Sequence, residues 1–247
     1  TAVPLAVPTR SLDETIVRVA MERKPNLILL PWRRPFFGSR FLAGSIGNVL
    51  REAEADVAVL IDPAGAGVDL SRDEEVLVPY GAGFHEEVAL DLALRIAKDH
   101  STSVRLLGAV AGDAAASDAD ADVAHQLASV AAEAYRRSGV WTTAATEGND
   151  LVGAAIEGAK RAGLVVLGVS DEWAHEKHSL GQVREAVAAR STTPILLVRR
   201  HAQPKRRWIG RGKEWMTTTG DVDLRGLEDI AEAGDVETAA EETLRKS

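Results

Sequence analysis

The sequence contains no cysteine, which removes disulfide frameworks and thiolate metal sites together and is compatible with a reducing cytosol. Long apolar runs are missing too. The longest, such as Val57-Ala58-Val59-Leu60-Ile61, reach about a quarter of the roughly 20 residues a membrane helix needs, so the chain itself is read as soluble. There is no basic excess: a formal charge of −8 argues against a nucleic-acid binder, which usually carries a basic face and a high pI. Neither an initiator Met nor a charged-then-apolar leader precedes Thr1, and the chain is expected to be a fragment of something longer.

What is present is ordinary globular material. At 247 residues and 45% hydrophobic content, the prior is one or two domains with a real core. The beginning and the middle share one pattern. Residues 4–62 align with residues 141–199 at a constant offset of 137 without a gap, pairing Asp13 with Asp150, Leu27 with Leu164, Gly44 with Gly181 and Leu60 with Leu197. Self-similarity at a fixed offset marks a duplicated unit, here of domain size.

The second copy reads as complete. Residues 75–80 form a β-rich run broken by Gly81-Ala82-Gly83, and a helix follows over about 85–98. That helix has Glu86 and Glu87 in its first turn, Arg95 and Lys98 in its last, and Val88, Leu92 and Ile96 as its buried stripe. A strand is expected at 104–110, a polar loop at 112–122, a helix at 123–138 and a strand at 141–146. Asn149 or Asp150 is placed to cap the next helix, which ends near Gly163. Residues 164–167 are continuously apolar, as in a strand covered on both faces, and a helix at 181–189 and a strand at 194–198 complete the unit.

Strands alternating with helices imply an α/β fold, an open parallel five-stranded sheet sandwiched by helices with right-handed crossovers. Ligands of such sheets sit beyond the C-terminal strand ends where strand order reverses. That draws attention to Gly81, Gly83, Val110 and the stretch from Gly168 to Gly181. The first copy begins at its third strand, residues 4–7, and lacks the first two strands and helices. A half sheet without its central strand is not expected to close a core, so the rest was removed or lies outside this chain. The expected organisation is a C-terminal half-unit at 1–62, a Gly/Asp-rich linker at 63–74, a complete unit at 75–200, and a largely disordered tail at 201–247.

The order of strands, helices and glycines in both copies resembles the universal stress protein domain, whose adenine nucleotide-binding loop after the fourth strand reads Gly, two residues, Gly, nine residues, Gly, then Ser or Thr. Here the second copy has Gly168, two residues, Asp171, nine residues, Gly181-Gln182, and the first has Pro31, two residues, Arg34, nine residues, Gly44-Ser45. The spacing is kept while part of the chemistry is lost. Glycines let backbone N–H groups approach phosphate and the hydroxyl adds a donor; Asp171 would repel a phosphate, and Pro31 removes a donor where Arg34 would attract one. Gly81 stands where the family has a nucleotide-contacting acid. The resemblance implies nucleotide contacts at Gly81, Gly83, Val110, Gly168, Gly181, Gln182, Gly44 and Ser45, with ATP, AMP or a cyclic nucleotide as ligand.

The loop wording is narrower. Residues 29–38, LLPWRRPFFG, with Val49-Leu50, residues 76–81, VLVPYG, residues 168–173, GVSDEW, and residues 181–185, GQVRE, resemble the C-terminal cytosolic region of bacterial monovalent cation/proton antiporters. This implies a regulatory or assembly module on the cytoplasmic side of the membrane, partnered by the transport domain of the same polypeptide and forming a homodimer. A free-standing stress protein that binds ATP, and the tail of an amino-acid permease, are the alternatives. A third reading is a structural platform whose sheet edge at 194–198 pairs between chains.

Other motifs read as bland. His175 and His178 flank Glu176 three apart, where a helical zinc site needs histidines four apart. Asp118, Asp120 and Asp122 suggest a calcium loop, yet Val123 replaces its turn glycine and Ser129 its bidentate glutamate, leaving an acidic connection. Gly81-x-Gly83 has Glu86 where a dinucleotide fingerprint needs a third glycine. Arg33, Arg34 and Arg40 are hydrated loop charges or an anion or membrane contact. The segment 199–213, with seven Lys or Arg and Trp208 and Trp215 at its end, is a disordered tail or meets acidic lipid headgroups. Ser179 and Ser191 have no evident base, the carboxylates are expected on helix surfaces, and no enzyme activity is expected.

Overall fold

The computed structural model describes residues 4–32, 44–65, 67–70, 74–81, 84–109, 118–147, 151–169 and 182–201. The first part supplies α1 (Leu12–Arg23), β1 (Leu27–Trp32), α2 (Ser45–Glu52) and β2 (Asp56–Ile61). The rest supplies β3 (Glu75–Pro79), α3 (Phe84–His100), β4 (Val104–Ala109), α4 (Asp118–Ser138), β5 (Thr142–Glu147), α5 (Leu151–Ala159), β6 (Ala162–Gly168), α6 (Gln182–Arg190) and β7 (Ile195–Arg199).

Local chemistry sets the helix ends. Acidic Asp13 and Glu14 sit in the first turn of α1, and Lys24, in the left-handed region at φ 48°, closes it by donating its N–H to Ala20 O. Helix α2 begins after Gly44, whose φ of 90° suits a residue without Cβ. Strands β6 and β7 are buried along their whole length, as their unbroken apolar runs require.

All seven strands form one sheet, in the order β1-β2-β7-β6-β3-β4-β5. Every neighbouring pair is parallel except β2 and β7, which run antiparallel from Val57 opposite Arg199 to Ile61 opposite Ile195. Strands β1 and β2 therefore point opposite to the other five. Alternate residues feed two apolar layers. One joins Val57, Val59, Val165, Leu167, Ile195 and Leu197 to Val49 and Leu50 of α2 and Ala155, Ala159, Val187 and Ala188 of α5 and α6, with Ile16 and Val17 of α1 against it. The other joins Ala58, Val76, Val78, Leu164, Val166, Leu196 and Val198 to α3 and α4.

Several expectations are corrected. The sheet has seven strands, because the half-unit does not stand alone: β2 pairs with β7, and the two halves share both apolar layers. The edge at 194–198 that was expected to pair between chains is occupied by β2 of the same chain. Residues 4–7 form no strand, and Leu5 is 57% exposed. A third strand hydrogen-bonds to a second, and the first half has none to offer. Helix α4 starts at Asp118, so Asp118, Asp120 and Asp122 belong to its first turns, where acids favour the positive helix end. Helix α5 ends at Ala159, and Gly163 lies inside β6. A Cβ there would stand 2.4 Å from Asp69 O, so only glycine lets the segment before β3 cross β6.

Residues 62–65 and 67–70 are held by their own groups. The Asp62 carboxylate accepts the N–H groups of Gly65 at 2.9 Å and Gly67 at 2.7 Å, and Leu70 is buried in the second apolar layer. Among the described residues, no helix is long and apolar enough to cross a membrane.

Candidate functional site

Strand order reverses at β3. From it the chain moves outward to β4 and β5 on one side, and returns to β6 and β7 on the other. The C-terminal ends of β3 and β6 thus border the crevice where open α/β sheets take ligands. Gly81 follows β3 and is exposed, while Gly168 ends β6 and is buried.

Against these strand ends packs the first turn of α3. His85, Glu86 and Glu87 are all buried there, although acids on a helix start are normally solvated. Gly168 explains the close approach: a Cβ on it would meet His85 C at 2.6 Å and Glu86 N at 2.7 Å. Its lack of a side chain admits helix backbone.

Arg184, the third residue of α6, spans the gap. Its Nε donates to Gly168 O at 2.7 Å, and its Nη2 donates to Glu86 Oε1 in an ion pair buried on both sides. Each partner of such a buried pair offsets part of the cost of withdrawing the other from water. Beside them, His85 Nδ1 accepts the Arg200 N–H at 2.9 Å, which leaves any ring proton on Nε2. Burial first, and then the charges of Arg199, Arg184 and Arg200, push the His85 pKa down to about 3, so the ring is neutral.

Arg200 Nη2 reaches Asp91 Oδ2 at 3.0 Å. Arg199 Nη2 donates to Ala53 O at 2.7 Å and Ala55 O at 3.3 Å, placing a cation at the C-terminal end of α2. Burial lowers the Arg199 pKa, and Asp56 opposes that shift. Arg199, at the end of β7, thereby ties the second half to α2 of the first, while Arg200, the next residue, anchors to α3 within the second half.

The sequence-predicted positions fall into two groups. Gly81 follows β3, Gly168 ends β6 and Gln182 opens α6. Gly44 and Ser45 open α2 beyond β1, and because β1 runs opposite to β6 they lie at the other end of the sheet. Nothing approaches within 4 Å of a Cβ built on Gly44. Gly83, Val110 and Gly181 lie outside the described residues, as do Asp171, Arg33, Arg34, Arg40, His175, Glu176, His178, Ser179 and the tail from 202. Ser191 Oγ exchanges hydrogen bonds with Thr193 backbone groups, a local turn. Glu86 and Glu87 correct the expectation of surface carboxylates: they were legible as first-turn acids, but Glu86 and its partner Arg184 stand 98 positions apart. The signal available was Arg199-Arg200 closing an apolar strand.

No family model and no curated protein matches the sequence. Solved structures do match. A universal stress protein of Archaeoglobus fulgidus aligns at TM-score 0.55 and 20% identity, covering 76% of this chain and 65% of that one. The fold is that of universal stress proteins. A Pseudomonas aeruginosa structure assigned to the same group aligns at TM-score 0.51 and 15% identity, over 78% of this chain and 70% of that one. The chain spans about 65% of the length of the archaeal universal stress protein. Another A. fulgidus universal stress protein, in complex with dAMP, covers 51% of this chain at TM-score 0.43, too distant to inform the crevice.

Proposed function

We propose that the chain is a regulatory and assembly module of a membrane monovalent cation/proton antiporter, built from two universal-stress-type units joined edge to edge, the first truncated. The observation that carries this reading is the β2–β7 ladder. Val59 lies opposite Leu197 and Leu60 opposite Leu196. At the offset of 137, Val59 is equivalent to Leu196 and Leu60 to Leu197, so equivalent strands meet about a local two-fold axis. This is isologous pairing, as between the subunits of a dimer, contained in one chain. The link to an antiporter rests on the loop segments that resemble its cytosolic region. Its partner is then the transport domain of the same polypeptide, at the cytoplasmic side of the membrane, with the basic residues of 202–213 facing lipid headgroups, since Arg199 and Arg200 are buried against Ala53, Ala55 and Asp91. Pairing of whole chains uses a surface other than β7, which β2 already covers.

The signal in this reading is an adenine nucleotide, ATP, AMP or a cyclic nucleotide, entering the crevice beside Gly81, Gly168 and Gln182 without being turned over. Arg184 offers phosphate the same fork it gives the Glu86 carboxylate. A ligand regulates only if it binds two arrangements of the module unequally. Exchange of Arg184 between Glu86 and phosphate supplies that difference.

Two measurements test the reading. Removing residues 75–200 from the transporter is expected to abolish regulation while transport persists, and unchanged regulation overturns the module. Calorimetry with ATP, AMP and cyclic AMP at physiological salt is expected to show binding that Gly181→Trp removes. Absence of binding to all three overturns the nucleotide arm and leaves an assembly module.

A further inference from the structure

The two halves differ most at the outer edge of β1. Strand β6, its counterpart in the repeat, has neighbours on both sides, β7 and β3. Among the described residues β1 has one, β2, although its sequence, LILLPW, is that of a strand covered all round.

The side chains beside the open edge show what is missing. Leu29 is 59% exposed, whereas Val166, its equivalent 137 positions on, is fully buried. Leu29 lies on the same sheet face as Leu27, two residues before it. Leu27 and Leu60 already pack against the apolar layer that α3 covers, so that layer runs on continuously under Leu29. On the other face, Met21 of α1 is 53% exposed. Its equivalent is Gly158 of α5, where a Cβ would stand 3.0 Å from Leu77 Cδ2 of β3. Each exposed residue therefore corresponds to one that touches β3 or lies under α3.

We propose that the edge of β1 and the adjoining face at Leu27, Leu29 and Leu60 are the docking surface for a partner strand–helix segment of the β3–α3 kind. This deepens the repeat reading and rests on it. The occupant is a short extended strand, parallel to β1 and apolar on both faces, followed by an amphipathic helix that lies over Leu29. Parallel pairing follows from β3 against β6, where Val76 and Leu77 oppose Leu164 and Val165, the counterparts of Leu27 and Ile28. The strand's middle residue is smaller than Leu, because Met21 fills the room that Gly158 leaves for Leu77. An uncovered apolar edge otherwise invites unspecific pairing.

The probe is a synthetic peptide of residues 75–100 of this chain, made as such and with Leu77→Ala, added to the intact chain while amide exchange of β1 is followed. The expected result is saturable slowing of β1 exchange by about tenfold or more, stronger with the Leu77→Ala peptide and abolished by Leu29→Asp in the protein. Leu29 is exposed, so that variant folds. No slowing at millimolar peptide overturns the proposal. So does β1 protection that rises with protein concentration without peptide, since a second copy is then the occupant. Neither result touches the module reading, whose tests are transport regulation after removal of residues 75–200 and nucleotide calorimetry.

Discussion

Position 184 of the second half is arginine and its counterpart in the first half, 137 residues earlier, is Gly47; likewise Gly168 answers to Pro31. The same frame holds two different fillings. In the second half a helix turn presses on Gly168 and a buried ion pair joins α3 to α6, while in the first half Gly44 opens α2 with nothing within 4 Å of its Cβ position. A glycine in a conserved spacing is thus explained at one site by the helix beside it and at the other by its own φ of 90°. Spacing alone identifies the loop, and neighbours decide what the glycine does.

The sharpest way to break the comparison is to remove one partner of the buried pair. Glu86→Ala leaves the Arg184 guanidinium buried without its counter-ion and is expected to cost about 3 to 5 kcal/mol in urea unfolding. The corresponding change in the first half has no target, since Gly47 has no side chain to strand.

Next comes the seam. Val59→Pro removes a ladder hydrogen bond in the middle of β2 and is expected to destabilise the first half by about 3 kcal/mol or more. Amide exchange is the measurement: α1, β1 and α2 are expected to lose protection while β3 to β6 keep it. Equal loss throughout would mean that the halves fold as one cooperative unit.

Gly168→Ala places a Cβ against α3 backbone and is expected to cost about 1 to 3 kcal/mol, read as a lower urea midpoint at unchanged slope.

The smallest effects are in pH. His85 has its folded pKa at about 3, below the ordinary 6.5, so the unfolded chain binds the proton first. Its contribution is complete above 6.5 and is lost as pH falls towards 3. Asp13 in the first half is held at about 2 by hydrogen bonds from the Asn48 side chain and then the Ser11 hydroxyl. Its contribution is complete above 3.8 and fades towards 2. Acid titration followed by NMR is therefore expected to loosen the second half in a higher window than the first. His85→Asn, which keeps an acceptor, is expected to flatten the upper window, and Asn48→Ala to raise the Asp13 pKa.

Much of the architecture was legible because apolar runs and capping residues are local. Strands at 164–167 and 194–198, and the helix behind Gly81, follow from periodicity and from glycines at their ends. What escaped is long-range. Nothing near Asp56 says that its strand will pair with residues beyond 190, so a half sheet read as unable to close a core closes on its neighbour. The Glu86–Arg184 pair escaped for the same reason, and first-turn acids look alike whether solvated or buried. The helix end expected near Gly163 comes four residues earlier, and the reason for a glycine inside β6, the Asp69 carbonyl, lies on another segment. At the candidate site, Gly81 and Gly168 stand at the C-terminal ends of β3 and β6, beside the point where strand order reverses.

The segment between the halves has a further consequence. Gly- and Asp-rich, it reads as a slack tether, but its described residues are held: Asp62 binds the N–H groups of Gly65 and Gly67, Leu70 is buried in the core, and Gly163 leaves room for the Asp69 carbonyl. Exchange of first halves between two copies requires a connection that can straighten, and straightening this one strips Leu70 out of apolar surroundings. Once the seam has closed within a chain, the burial of Leu70 is expected to oppose a concentration-driven trade of halves between copies.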